Sequence, residues 1–404
     1  MTDDIAVAVA TVADPGASMD ALRASMRAWL QANEGALQPY RHEHPGGMTE
    51  SCAHFRPLQR LLHDAGWTRL GWPVECGGLG GSAVLRAEAM EELAAAGYVI
   101  PELQGTIEII APMLIRYAPA LAAHHVGRSI ACDENWCQGF SEPDAGSDLG
   151  SLRTRAVACE GPEGDGFRIT GQKMWSSYAT VAQHCCMLVR TGEAGSGYRG
   201  LTMLWVDLDS PGITIRPTDC ESGREEVAEL FFDDVFVPRD RLIGPEGAGW
   251  EVVMFLMQYE RGAYAWKRQA ELHTQLHELV HDAPAEALAG GPSAAANLSA
   301  LGNAYLALFA LRSQASPTLA ALDAGRALGP GISVDKLLLS AAEQTVTDTA
   351  RQLLWPALEM DDTPAAARWR RRWSFSRITT IYGGAAEVQR DLVAERLLGL
   401  PRGR

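Results

Sequence analysis

The hydrophobic pattern of this 404-residue chain changes period twice, and that change limits the folds open to it. From Met19 to about Asn135, the segments ALRASMRAWLQAN, FRPLQRLLHDAG and SAVLRAEAMEELAAAG carry apolar residues three and four apart and stop near Gly or Asn, as amphipathic helices do. Between roughly 136 and 240 the text becomes short β-rich runs: LRTRAVACE, FRITGQKMW, HCCMLVR, LTMLWVDL, GITIRPT and VAELFFDDVFVP. They are separated by turn formers such as EGDG, SGYRG and DSPG. After GPEGAGW the helical period returns, with breaks at DAPAEALAGGPS and WPALEMDDTP. This order predicts an α+β multidomain protein. Residues 1–18 read as a mobile tail, 19–135 as an N-terminal helical domain, 136–240 as a middle β-barrel-like or sandwich domain, and 241–404 as a C-terminal helical bundle.

Composition narrows the class of function. With 47% hydrophobic and 21% charged residues the chain is neither disordered nor membranous in character, and no uninterrupted apolar run approaches the ~18 residues of a spanning helix. The start, MTDDIAVAVATVADPGASMD, is acidic and has no secretory pattern, which predicts a cytoplasmic protein. A net charge of −15 argues against a nucleic-acid surface. The one basic cluster, Arg368 to Arg372, reads as a solvated face with Trp369 and Trp373 turned inward. The eight cysteines form no C-x-x-C pair, which suits reduced structural thiols. The pairs His42/His44 and His124/His125 have no evident companion ligands and read as loop or surface residues, so no metal is expected. GLGGSA at 78–83 satisfies a dinucleotide-binding pattern in form only, because LGWPVECG before it is no buried strand.

The most specific text is WCQGFSEPDAGSDLGSLRTRA at 136–156. A strand would bring Phe140 and Ser141 to its end, and a turn of small residues would let a flat ligand approach the backbone. Taken with GQKMWSS at 171–177, LFFDDVFVP at 230–238 and IYGGAAEVQRDLVAERLLGLP at 381–401, it resembles, in order and spacing, the signatures of the acyl-CoA dehydrogenase family. The resemblance implies that family's fold. It also implies an FAD enzyme that desaturates an acyl thioester, acyl-CoA above all, between its α and β carbons and passes electrons to an electron-transferring flavoprotein. By position it places Gln138, Phe140, Ser141, Gly146, Ser147, Trp175, Ser177, Ala385 and Glu387 at the cofactor, and Ser147, Gln258, Arg261 and Tyr382 at the substrate.

Many members of the family carry the catalytic glutamate directly after the Tyr of the last motif, where this chain has Gly383. A second group carries it in an E-R pair on the helix that opens the C-terminal domain. MQYERGAY supplies that pair as Glu260 and Arg261. Glu260 falls in the apolar stripe of Trp250, Val253, Met257 and Tyr264, where burial would raise its pKa toward that of a useful general base. By itself the helix pattern favours a structural ion pair of Glu260 with Arg261 or another cation; combined with the missing acid at 383, the resemblance favours Glu260 as base. Gly383 keeps its backbone N–H, which the resemblance aims at the thioester carbonyl.

The chain departs from the family at the adenosine end of the cofactor. The usual Arg-x-x-Phe-Gly and Gly-Gly-x-Gly stretches are absent, with NAYLALFALRSQA and RQLLWPALEM in their places. Either a homo-oligomer binds that end with other residues, or a homologous partner subunit completes it. A flavin-dependent oxygenase on the same scaffold and a non-catalytic partner subunit are the competing readings of function.

Overall fold

A computed structural model describes residues 12–162, 164–221, 225–290 and 292–402. Six helices come first: α1 (Met19–Ala32), α2 (Glu34–Leu37), α3 (Met48–Asp64), α4 (Ala83–Ala95), α5 (Glu102–Tyr117) and α6 (Pro119–Ile130). The α1 helix starts where the Ser18 side chain accepts a hydrogen bond from the Ala21 N–H, and its buried stripe of Leu22, Met26, Trp29 and Leu30 follows the helical period. Residues 12–18 do not behave as the expected tail. The amides of Val12 and Ala13 donate to the Ala65 carbonyl at 3.0 and 3.2 Å, and Ala13 joins the core of the first helices. Residues 1–11 lie outside the described residues.

The middle region is a curled seven-stranded sheet: β1 (Trp136–Gly139), β2 (Arg155–Gly161), β3 (Gly164–Ser177), β4 (His184–Arg190), β5 (Leu201–Asp207), β6 (Ile213–Asp219) and β7 (Glu225–Pro238). Its order is β1-β4-β2-β3-β7-β6, with β5 paired to β4. The β1–β4 ladder is parallel, while β2–β3, β3–β7, β6–β7 and β4–β5 are antiparallel. HCCMLVR and LTMLWVD read as unbroken apolar runs because both faces of β4 and β5 are covered. Cys185, Met187, Val189, Leu204 and Val206 fill the interior of the sheet. Cys186, Leu188, Met203 and Trp205 pack instead with residues of α5, α6 and the following helix. This second core joins the sheet to the helices on both sides of it in sequence.

The chain continues as α7 (Gly249–Asp282), α8 (Ala285–Leu288), α9 (Pro292–Asp323), α10 (Ile332–Leu353), α11 (Ala357–Met360), α12 (Pro364–Arg377) and α13 (Ala386–Leu392). Helices α7, α9 and α10 share one core around Leu272, Leu308 and Leu339. By length and composition α9 is also apolar enough to cross a membrane, although one face of it packs into this core. Its other face leaves Leu298, Tyr305, Leu306 and Phe309 exposed.

Two local expectations are corrected and a third is met. Arg372 is not on a solvated face: it is buried and paired with Glu43 at 2.8 Å and Glu278 at 2.7 Å, while Arg368 pairs with Asp282 at 2.8 Å. His125 is no surface histidine. It is buried within a cluster with Glu134 and His184, and its Nδ1 lies 2.8 Å from a Glu134 oxygen. Glu134 also accepts from Trp136 at 3.0 Å and Arg128 at 2.8 Å, so arginine and indole donors already surround the carboxylate. The sequence could not show this, because the partners come from α6, β1 and β4. Around GLGGSA the third result agrees with the reading that rejects a dinucleotide site. Only a short 3-10 turn precedes it, and the start of α4 is held by Asp323, which accepts from Ser82 at 2.6 Å and the Ala83 amide at 2.7 Å.

Candidate active site

Strand β1 ends just before Phe140, and the 140–148 turn that follows is tied down from below by one ion pair. The Lys173 ammonium, fully buried on β3, donates to the Phe140 carbonyl at 3.1 Å and to Glu142 at 2.8 Å. Glu142 also accepts from the Arg153 and Thr154 amides at 2.6 and 2.9 Å. Burial works against its ionised form, but Lys173 and these donors outweigh it and hold the carboxyl below its ordinary range. Above this anchor, Gly146 and Ser147 are exposed, and nothing lies within 4 Å of where a Gly146 side chain would start. Gln138 sits in β1 opposite Cys186, and the Ser141 carbonyl accepts from Met174 at 2.9 Å.

On β3 the register against β7 slips between Lys173 and Ser176, a bulge of one residue. Lys173 and Ser176 both turn inward, whereas Trp175 and Ser177 are exposed. Trp175 has φ +59, a left-handed conformation that a bulky residue rarely adopts, and its indole stays 57% exposed. Such a conformation costs on the order of 1–3 kcal/mol and persists only where the surrounding structure holds it, here the bulge against β7.

The second half of the site is the turn after α12. Gly383 and Gly384 have φ +63 and +101. Glu260, one-third of the way along α7, places Oε1 3.1 Å from the point a Gly383 Cβ would occupy. Its other oxygen has no hydrogen-bond partner among the described residues. Burial raises the Glu260 pKa, and Arg261 and Lys336 act in the opposite direction. Arg261 Nε donates to the Gly383 carbonyl at 3.3 Å, so the E-R pair divides its work: the glutamate faces the turn and the arginine holds it. Tyr382 is T-shaped to Tyr264, with ring centres 6.3 Å apart.

The Gln258 side chain accepts from the Leu328 amide at 3.0 Å and so braces the turn between α9 and α10. Glu387 is exposed on α13 and pairs with Arg390 at 3.4 Å; Ala385 caps that short helix. Sequence reasoning missed Lys173, Glu142 and Lys336. A signal for two of them was present: only three of the chain's 35 basic residues are lysine, namely Lys173, Lys267 and Lys336.

Family models for the acyl-CoA dehydrogenase N-terminal, middle and C-terminal domains match residues 17–123, 137–235 and 247–398. The chain is 36% identical over 389 residues to the acyl-CoA dehydrogenase IpdE1 of Mycobacterium tuberculosis, covering 95% of this chain and 98% of that protein. Among solved structures it superposes on the Tcur3481-Tcur3483 steroid ACAD with a TM-score of 0.80 at 26% identity, covering 97% of this chain and all of that one (100%). It likewise superposes on a chain of the ChsE4-ChsE5 complex from Mycobacterium tuberculosis with a TM-score of 0.74 at 26% identity, covering 95% and 98% of the two chains.

Proposed function

The chain belongs to the acyl-CoA dehydrogenase family, a family of flavoprotein oxidoreductases, and from that premise we propose that it binds FAD, oxidises an acyl-CoA thioester at its α and β carbons with Glu260 as the base, and delivers electrons to an electron-transferring flavoprotein. The observation that carries this reading is the partly buried Glu260 carboxylate against the side-chain-free Gly383. The flavin fits the other half. An exposed indole on a bulge and an uncrowded turn at Gly146 and Ser147 suit a planar ring, with Gln138, Phe140, Ser141, Trp175 and Ser177 as its holders.

Bound there, FAD supplies the acceptor for the β hydride. Glu260 takes the α proton onto a carboxylate that burial has made more basic, and general bases of this kind contribute about 10²–10⁴-fold. The Gly383 N–H, in a turn that Arg261 holds by its carbonyl, is the donor for the thioester oxygen as negative charge develops on it. A flavin oxygenase on this scaffold would have no use for a buried acid at 260.

A second reading concerns assembly. The exposed Leu298, Tyr305, Leu306 and Phe309 of α9, together with the missing adenosine-binding stretches, support completion of the cofactor site by another chain, most simply a homologous subunit. Anaerobic mixing of the FAD-loaded protein, alone and co-expressed with a homologous acyl-CoA dehydrogenase subunit from the same genome, with a panel of acyl-CoAs tests both readings. Bleaching of the flavin is expected; an oxidised flavin with every thioester in both preparations overturns the dehydrogenase reading.

A further inference from the structure

Lys336 stands out chemically before it does so structurally. Thirty-two basic residues are arginine and three are lysine, and Lys336 lies on α10 beneath the turn that carries Gly383, only 2% exposed. Its ammonium donates to the Thr379 carbonyl and lies 4.0 Å from the centre of the Tyr382 ring. It is also 3.9 Å from the point where a Gly383 Cβ would sit, the same point that Glu260 Oε1 approaches to 3.1 Å. Carboxylate and ammonium therefore converge on one backbone position from two helices. No hydrogen bond joins them directly, so both remain turned toward the glycine.

We infer that Lys336 is a positioning residue for proton abstraction: its locked ammonium keeps the neighbouring Glu260 carboxylate in the ionised form that can accept a proton. This inference rests on the reading of Glu260 as base. The charge balance around the pair makes the role specific. Glu260 faces Arg261 on its own helix, Lys336 on α10, and the Cys186 thiol of β4, whose pKa is raised by burial and in part by Glu260. Arg261 is engaged with the Gly383 carbonyl. Lys336 in turn faces Glu260, Glu343, Arg261 and the Tyr382 ring; burial brings its pKa down to about 8.

The test uses the FAD-loaded enzyme. Lys336→Met keeps the apolar stem and removes the charge, and the Thr379 carbonyl keeps a partner because Ser340 also donates to it at 2.7 Å. The rate of flavin reduction is measured against pH. In parallel, infrared spectroscopy without substrate follows the protonated-carboxyl band that Glu260→Gln lacks. In Lys336→Met the acid limb of the rate profile and the titration of that band should both move up by about one pH unit or more, the range for loss of a nearby opposite charge. Lys336→Arg should bring both back toward wild type, and Lys336→Gln, which keeps a donor for the turn, should shift them as Met does. A slower reaction with limb and band unmoved means that Lys336 only holds the turn, and overturns the inference. Wild-type reduction in Glu260→Gln would instead sink the base assignment, an outcome the Lys336 variants cannot mimic.

Discussion

Two glutamates in this molecule lie among cations, and the protein treats them in opposite ways. Glu134 is buried where α6, β1 and β4 meet, and His125, Trp136 and Arg128 all donate to it. Burial opposes its ionised form, but the hydrogen bonds from His125, His184 and Trp136 win, and its carboxyl titrates far below the usual range. Glu260 has Arg261 and Lys336 nearby but leaves one oxygen without a donor among the described residues, and burial wins, raising its pKa. Between these two acids the difference lies in directed hydrogen bonds: Glu134 accepts several that outweigh its burial, whereas the nearby cations of Glu260 do not outweigh its own. The satisfied acid ties α6, β1 and β4 together, and the under-satisfied one is the group proposed as the base.

The comparison breaks most visibly in rate. Glu260→Gln should slow flavin reduction by substrate by about 10²–10⁴-fold while FAD content stays near wild type, as stopped-flow absorbance and cofactor extraction would show. Glu134→Gln should leave the reduction rate of the folded enzyme within a few-fold of wild type but cost about 3 kcal/mol of stability, read from denaturant unfolding, because it breaks a buried ion network. An equal rate loss in both variants would erase the distinction.

Moving the acid sharpens it. Gly383→Glu alone should lower turnover, since its Cβ would occupy left-handed backbone and its carboxylate would crowd Glu260, whose Oε1 lies 3.1 Å from that Cβ position. Glu260→Gly with Gly383→Glu should recover part of the activity, because the new carboxylate starts from the point that Glu260 now approaches. Recovery no better than Glu260→Gly alone would show that the two positions serve different atoms.

The smallest effect is the pH dependence of stability, measured as melting temperature of wild type and both variants. Glu134 has a lowered folded pKa, so its contribution is present above the unfolded carboxylate value of about 4 and fades as pH falls through the folded value. Glu260 has a raised folded pKa, so it costs stability once pH rises past about 4 toward that value. Glu260→Gln should therefore be more stable than wild type at neutral pH, with no gain below about pH 4. His184 adds a term of the other kind. Burial lowers its pKa, but Asp207 and Glu134 raise it beyond that, so its support is present below about 6.5 and lost as pH rises through its folded value.

Much of this protein was determined by the order of its residues. The period of hydrophobicity placed the sheet between two helical regions, and six of the seven strands fall on runs legible as strands, because side-chain direction alternates in a strand and advances by about 100° in a helix. The E-R pair could be picked out only through the resemblance to the family, because an acid in an apolar stripe by itself fits a structural ion pair. Tertiary structure alone decided which charges would meet. Lys336 lies 76 positions after Glu260, Lys173 reaches back to Glu142 across a sheet, and Arg372 finds Glu43 from the far end of the chain. It also decided the protonation of each acid, because pKa follows the count of donors and the depth of burial, and both exist only after distant segments have packed.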